Sequence, residues 1–404
     1  MKTICYTFLL CILFSNSYGQ SWQKVLPVMP GGNRDAAVSF SIGNKIYSGG
    51  GSGYGNRDFY EFDLATKKWT KKANIPGVDT NRGFAASFSI NGKGYVGMGS
   101  NGVIAPSCKS DLWKYDPAAD SWTRKADYPG GMRDGVGVFV LGNKAYIGGG
   151  LDSTFYGDLG FYSYDPSTDY WTQLSDLPVG PIIFPSMFTI GNYGYMTCGG
   201  IGVSGTTDLW RYDPAGDAWD KMASFPGTKR QACANFVLNG KGYVGLGQDT
   251  YTVVFKDMYS YNPQSNNWNK ETDFTGNGRA WVTSISVGDT VYVGNGSNFA
   301  GGYVNPMSDW WSFTPASASV NDLSNNNSDI HAYPQPAISE LHLAGLKNND
   351  TYQAKMFDAL GREISSSIIT GGNPEIHISN LSAGVYTILL ISKDERLSLP
   401  IIKE

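Results

Sequence analysis

The stretch SWQKVLPVMPGGNR, residues 21–34, closely matches SWTRKADYPGGMR, residues 121–133, a hundred positions downstream. The second copy stands at a junction between two repeat units, so the first is the end of a repeat whose beginning does not precede it. Its tryptophan is the first of six, Trp22, Trp69, Trp122, Trp171, Trp219 and Trp268, spaced 47 to 53 residues apart. Between tryptophans the same features recur in the same order. An alternating stretch such as AAVSFSIGNKIY leads to a tyrosine (Tyr47, Tyr95, Tyr146, Tyr195, Tyr243, Tyr292), then to glycines, a loop and an aromatic segment. That segment reads DFYEFD, DLWKYD, GFYSYD, DLWRYD, DMYSYN and DWWSFT, with aromatics at its third and fifth positions every time. Period-2 spacing puts both rings on one face of a strand. The proline of the DP, NP and TP turns that follow presets φ for a tight reversal.

Four short strands in about 50 residues make one blade of a β-propeller. A single four-stranded sheet cannot bury both faces, whereas six arranged radially each pack against two neighbours, with aromatic side chains filling the wedge. The sequence therefore predicts an all-β chain with a six-bladed propeller over residues 20–315. The recurring tryptophans, tyrosines and glycines are its structural positions. The sixth unit, residues 279–313, stops after its third strand. Residues 21–25 supply the missing one, so the N-terminal strand closes the ring and removes two exposed edges.

The chain has 404 residues, among them 51 glycines, 25 tyrosines and 11 tryptophans, as a turn-rich β protein should. Its 31 basic and 35 acidic residues give a net charge of −4 without a basic tract, which excludes a general nucleic-acid binder. Lys2, the apolar run 4–14 and the polar SNSYGQ read as a signal peptide over residues 1–19, cut before Gln20. No later stretch approaches the roughly 20 apolar residues of a spanning helix, so no transmembrane anchor is expected. Cys5 and Cys11 leave with the signal. Cys108, Cys198 and Cys233 remain and read as small buried hydrophobes, with pairing of Cys198 and Cys233 as the alternative. A Ser/Asn-rich linker over residues 316–331 leads to a second domain of short strands, residues 332–404.

The glycine-rich strand ends, the tyrosine, the YDP turn and the tryptophan strand together resemble the kelch repeat over residues 21–315. Kelch propellers include a copper oxidase, sialic acid mutarotases and many protein-binding modules, so this resemblance implies a fold and leaves the function open. One unit departs: Gly160 stands where the others have Asp58, Asp111, Asp208, Asp257 and Asp309. The C-terminal residues Tyr333, Pro334, Pro336 and Ala337, then Asp358, Leu360, Gly361 and Arg362, then Leu381, Ala383, Gly384, Val385 and Tyr386, then Lys403, resemble the sorting domain of the type IX secretion system of Bacteroidetes. Gln335 replaces the asparagine often found between the two prolines. This resemblance implies a small β-sandwich, engagement of the type IX secretion machinery, and passage through the periplasm to a secreted or outer-surface location. A plain adhesion sandwich is the other reading.

All three histidines, His331, His342 and His377, lie outside the propeller, which removes the imidazoles that a mononuclear copper site or a Ser/His hydrolase needs. No P-loop or EF-hand pattern occurs, so neither a cofactor nor a metal is implied. Paired-carboxylate chemistry has little to draw on: the propeller has only Glu61 and Glu271, and most of its aspartates recur at repeat positions. Asp35 and Asp134 each follow an arginine and suit an acid/base role or a salt bridge. No residue is assigned a catalytic role. One constellation stands out. Arg34, Arg82, Arg133, Arg230 and Arg279 each precede their blade's tyrosine by thirteen residues, while the fourth blade has Ile182 there. Equal register places five guanidiniums around one end of the channel. The kelch resemblance implies that such arginines line the channel mouth and bind acidic groups; the alternative is that each bonds carbonyls or an acid in its own blade. The resulting expectation is an exported module that binds a protein or carbohydrate ligand, anionic ones included, at these five arginines. A carbohydrate-active enzyme resembling the sialic acid mutarotases is the second expectation.

Overall fold

The computed structural model describes residues 21–25, 27–51, 57–77, 82–101, 108–201, 204–249, 253–300, 303–314, 330–358, 363–372, 374–392 and 396–404. The expected signal peptide, most of the expected linker, and Leu360, Gly361 and Arg362 of the sorting motif lie outside these residues. The chain divides into two compact units, one over residues 20–315 and one containing the C-terminal strands.

Six four-stranded antiparallel sheets form the first unit. Blade 1 is Val38–Ile42, Lys45–Gly49, Phe59–Asp63 and Lys68–Lys72. Blade 2 is Ala86–Ile90, Lys93–Gly97, Leu112–Asp116 and Ser121–Lys125. Blade 3 is Gly137–Leu141, Lys144–Gly148, Phe161–Asp165 and Tyr170–Gln173. Blade 4 is Ser186–Ile190, Tyr193–Thr197, Leu209–Asp213 and Ala218–Met222, and blade 5 is Ala234–Leu238, Lys241–Gly245, Met258–Asn262 and Asn267–Lys270. Blade 6 takes Thr283–Val287, Thr290–Gly294 and Trp310–Thr314 from the end of the repeat array and Ser21–Val25 from its start. The closing register runs from Ser21 opposite Thr314 to Val25 opposite Trp310. The first strand of each blade lies beside that of the next, and blade 6 lies beside blade 1, so the ring is closed.

The repeat tryptophans hold neighbouring blades together. Trp122, Trp171 and Trp268 donate their indole N–H to the carbonyls of Ala73, Ala126 and Ala223, each on the preceding blade, at 3.0, 3.0 and 2.8 Å. The return contact uses a turn residue: Asp120, Asp169 and Asn266 accept from the backbone N–H of the same three alanines. Those acceptors also take the hydroxyls of Tyr115, Tyr164 and Tyr261. Trp22 performs the role at the closure, buried against Phe274 and Phe313 with ring centroids 4.9 and 4.8 Å away.

The second unit has two sheets. One holds His331–Tyr333, Glu340–Ala344 and Glu375–His377; the other holds Glu363–Gly372, Leu346–Phe357, Gly384–Ile391 and Arg396–Lys403. Leu341 and Leu343 from the first share a core with Tyr352, Met356, Ile388 and Leu390 from the second, which makes a small sandwich. Among the described residues, no helix is long and apolar enough to cross a membrane.

Candidate functional site

The segment entering each blade crosses the same end of the ring, and its residues form concentric layers. Closest to the axis are Ala36, Phe84, Gly135, Phe184, Ala232 and Trp281, all with φ between 49° and 64°. Their peptide groups form a closed circle of hydrogen bonds. Ala36 N–H donates to Trp281, Trp281 to Ala232, Ala232 to Phe184, Phe184 to Gly135, Gly135 to Phe84 and Phe84 back to Ala36, over 2.8 to 3.3 Å. A left-handed conformation costs a residue with a side chain roughly 1–2 kcal/mol, and these six bonds over-determine it. Large and small residues alternate around the circle. Phe84, Phe184 and Trp281 meet over the axis with centroids 5.5 to 6.3 Å apart. They plug this end of the channel. Gly135 has no side chain because a Cβ there would lie 2.6 Å from the Phe184 ring.

A cavity of about 270 Å³ lies at the plug, and a second of about 350 Å³ continues along the inner strands. Their shared walls include Ser39, Ser87, Val138 and Ser284. Several channel hydroxyls are occupied by neighbouring blades: Ser87 donates to Ser39 O, Ser284 to Asn235 O, Ser286 to Val237 O and Thr189 to Val140 O. Among the described residues of both walls, Cys233 is the one titratable side chain.

Further from the axis come the five arginines, and four of them are buried. Arg34, Arg82, Arg230 and Arg279 are at most 1% exposed. Each makes a two-pronged pair with the aspartate that opens its own blade's aromatic strand. Arg34 reaches Asp58 at 2.7 and 3.0 Å, Arg82 reaches Asp111 at 2.8 and 2.7 Å, and Arg279 reaches Asp309 at 2.7 and 3.2 Å. Arg230 pairs with Asp257 in the same way. Each guanidinium also donates to its own blade's backbone, at Gly50, Met98, Leu246 or Asn295. The expectation of five guanidiniums open at the mouth therefore gives way to four neutralised pairs. The physical reason is that a planar guanidinium buried at this depth is stable only with a matching carboxylate and acceptors for its remaining N–H groups. The glycine shortly before each arginine belongs to this arrangement: a Cβ on Gly77 would lie 2.2 Å from the Asp111 carboxylate and 2.8 Å from the Arg82 guanidinium.

Blades 3 and 4 each lack one half of the pair. Blade 4 has Ile182, fully buried, for the arginine and Val179 for the glycine. Its Asp208 turns to Lys221 at 3.0 Å, and the Trp210 indole N–H is left without a partner among the described residues. Blade 3 has Gly160 for the aspartate, and Arg133 is correspondingly looser, with an 18% exposed side chain. Its Nε lies 3.4 Å from Asp158 Oδ2 and its Nη1 3.6 Å from Asp152 Oδ2. The other oxygen of each carboxylate is fixed by backbone, Asp158 by Leu159 N–H and Asp152 by Thr154 and Tyr156 N–H. The hydroxyl of Thr154 holds the Asp152 carboxyl below the usual range despite some burial, aided by these N–H groups and Arg133. The tight turn braced by Asp152 exposes Phe155, with φ 64°, and Tyr156, while Met132 is exposed beside Arg133 in sequence.

Next to this sector Asp134 is buried. Its Oδ2 accepts from Ser100 Oγ at 2.6 Å, and its Oδ1 has no partner among the described residues. Burial raises its pKa, with Ser100 offsetting part of the rise. Burial, and then the nearby Asp134 and Asp152, push the Cys108 thiol up to about 11. Neither the looseness of Arg133 nor the Phe155–Tyr156 turn follows from the arginine register alone. Gly160 was the signal for the first.

The family model "KLHDC2/KLHL20/DRC7 Kelch-repeats domain" matches residues 10–182, and "Secretion system C-terminal sorting domain" matches residues 331–404. The N-acetylneuraminate epimerase of Pasteurella multocida (strain Pm70) is 32% identical over 162 residues, covering 39% of this chain and 40% of that protein. The N-acetylneuraminate epimerase of Brucella suis is 33% identical over 138 residues, covering 32% and 34%. That of Escherichia coli (strain K12) is 33% identical over 111 residues, covering 26% and 29%. The chain thus spans about two fifths or less of the length of these curated relatives. A solved structure, "Structure of YjhT", matches with a TM-score of 0.62 at 20% identity, covering 72% of this chain and 98% of that one, a likeness of fold. The chain carries kelch repeats and a secretion-system sorting domain, and the latter marks it for secretion or display at the cell surface.

Proposed function

We propose that this propeller is exported by a type IX secretion system and takes an acidic sugar of the N-acetylneuraminate class at its blade 3 sector, interconverting the sugar's anomers. The observation that supports this reading is that Arg133 alone among the five ring arginines lacks the aspartate its repeat position would supply. Its two contacts are long and lead to partly exposed carboxylates, an arrangement worth about 0–1 kcal/mol. A ligand carboxylate offering two parallel, charge-assisted hydrogen bonds displaces them at little cost. Phe155 and Tyr156 offer apolar faces to a sugar ring near the same turn. Opening a cyclic hemiketal moves one proton off the anomeric hydroxyl and one onto the ring oxygen. Asp152 and Asp158, freed from Arg133 by the ligand, are the groups for that transfer. The likeness to N-acetylneuraminate epimerases supports the substrate class and the reaction.

The test is the rate of anomer exchange of N-acetylneuraminate, read by NMR on freshly dissolved sugar. The wild-type protein should accelerate it over buffer, and Arg133→Ala should lose tenfold or more of the acceleration at an unchanged melting temperature. No acceleration and no saturable binding of the sugar by the wild type overturns the reading. A second reading, recognition without catalysis, draws on the channel walls, where Cys233 is the one titratable side chain among the described residues. It is the outcome if binding depends on Arg133 while the exchange rate stays that of buffer.

A further inference from the structure

Cys198 and Cys233 occupy corresponding places on the two sides of one seam. Cys198 follows the tyrosine of blade 4 by three residues, and Cys233 follows the ring arginine of blade 5 by three residues. The hydrogen bond from Gly199 N–H to Arg230 O, at 2.8 Å, ties these two segments across the seam. At two other seams the corresponding residues are Met98 with Val136 and Leu246 with Val282, apolar pairs that share a core. At the blade 4/5 seam both are thiols, both are free and buried, and they share one core cluster. Each thiol lies near enough to the other to shift its ionisation. Cys198 is fully enclosed, whereas Cys233 keeps 9% exposure and forms part of the wall of the cavity at the plug.

We propose that Cys198 and Cys233 are an oxidisable pair that closes to a disulfide between blades 4 and 5 when the exported protein meets a low-molecular-weight disulfide. The cavity gives the oxidant a route to Cys233 alone, so the order of events is set. The Cys233 thiolate attacks one sulfur of the oxidant, releasing the other as a thiol and leaving a mixed disulfide at Cys233. The Cys198 thiolate then attacks the Cys233 sulfur and expels the second half of the oxidant. Two electrons pass from the protein to the oxidant, which takes up the two protons lost by the cysteines. The local electrostatics favour the same order. Burial alone would raise both thiols, but the nearby Cys198 and Arg230 bring Cys233 below its ordinary value, whereas Cys198 is raised well above it. Linking two blades across a seam restricts the unfolded chain and should raise the melting temperature.

The experiment treats the chain from residue 20 onward with oxidised glutathione, then alkylates under denaturing conditions and measures intact mass. Wild type should lose two hydrogens and two alkylatable thiols, leaving Cys108 as the modified cysteine. Cys198→Ser should retain a glutathione adduct at Cys233, and Cys233→Ser should form none at Cys198. Recovery of Cys108, Cys198 and Cys233 all alkylated after prolonged oxidation of the wild type overturns the proposal. So does a disulfide that maps to Cys108, and because that readout uses the wild type it stands even if a variant folds poorly.

Discussion

Blades 1, 2, 5 and 6 repeat one device at the plugged end, a buried arginine clamped by the aspartate of its own third strand; blades 3 and 4 each lost one partner. The losses had opposite outcomes. Blade 4 replaced its arginine with the buried Ile182 and filled the vacated glycine position with Val179, so the space is repaired with apolar volume. Blade 3 kept the cation and lost the anion, which leaves Arg133 held by longer contacts on a surface with exposed aromatic side chains. Identical side chains in identical register thus sit in different surroundings, decided by one residue, Gly160, 27 positions after Arg133.

The comparison can be broken most forcefully by removing one arginine from each class. Arg82→Ala leaves Asp111, whose side chain is 9% exposed, without its counter-charge, and losing one partner of a buried pair costs about 3–5 kcal/mol. Arg133→Ala removes only long contacts to partly exposed carboxylates and should cost about 0–1 kcal/mol. Urea denaturation of the two variants checks this, with Arg82→Met/Asp111→Leu expected to recover much of the loss. Equal costs at the two positions would erase the distinction between a clamped and a loose arginine.

Restoring the missing half sharpens the same contrast. Gly160→Asp supplies blade 3 with the carboxylate found in the other five blades. Its new Cβ would sit 3.1 Å from the Tyr162 ring and 3.2 Å from Asp158, so small local shifts are needed. Stability should change by no more than about 1 kcal/mol, because a buried ion pair gains little net energy over its desolvation. Affinity for an acidic sugar should fall tenfold or more, about 1.4 kcal/mol, since the guanidinium is then neutralised from within. An unchanged affinity would place the ligand away from Arg133.

The sequence carried the propeller openly because its signals are local and periodic. Six tryptophans and six aromatic strands at fixed order leave few alternatives, and the orphan strand at residues 21–25 has one vacancy to fill. The arginine register was equally visible, but its pairing was not, although both partners were in the sequence. The distance from arginine to aspartate is 24, 29, 27 and 30 residues in blades 1, 2, 5 and 6, because the loop between the second and third strands varies in length. Variable spacing hides a constant contact. The plug was hidden for a different reason: Phe84, Phe184 and Trp281 alternate with Ala36, Gly135 and Ala232, so no one residue type marks that position in every blade. Only the left-handed backbone is common to all six.

The smallest expected effect tests whether charge is also managed differently near the loose sector, by comparing Asp134 with Asp309. Burial raises the Asp134 carboxyl, only partly offset by Ser100. A carboxyl raised in the folded state adds stability that is fully present below its ordinary value of 3.8 and is lost as pH climbs through the folded value. Burial would raise Asp309 as well, but Arg279 and the Trp311 indole pull it below its ordinary 3.8. Its contribution is therefore present above 3.8 and lost as pH falls through the folded value. Asp134→Asn keeps an acceptor for Ser100 and removes the ionisation, so its stability relative to wild type should improve from about pH 3 to about pH 7. Asp309→Asn should show the opposite trend, costing most near neutrality and least in acid. Urea midpoints across that range decide the matter. If the Asp134→Asn difference is flat with pH, the carboxyl ionises freely in the folded protein, and the missing partner of its Oδ1 is water that reaches the site.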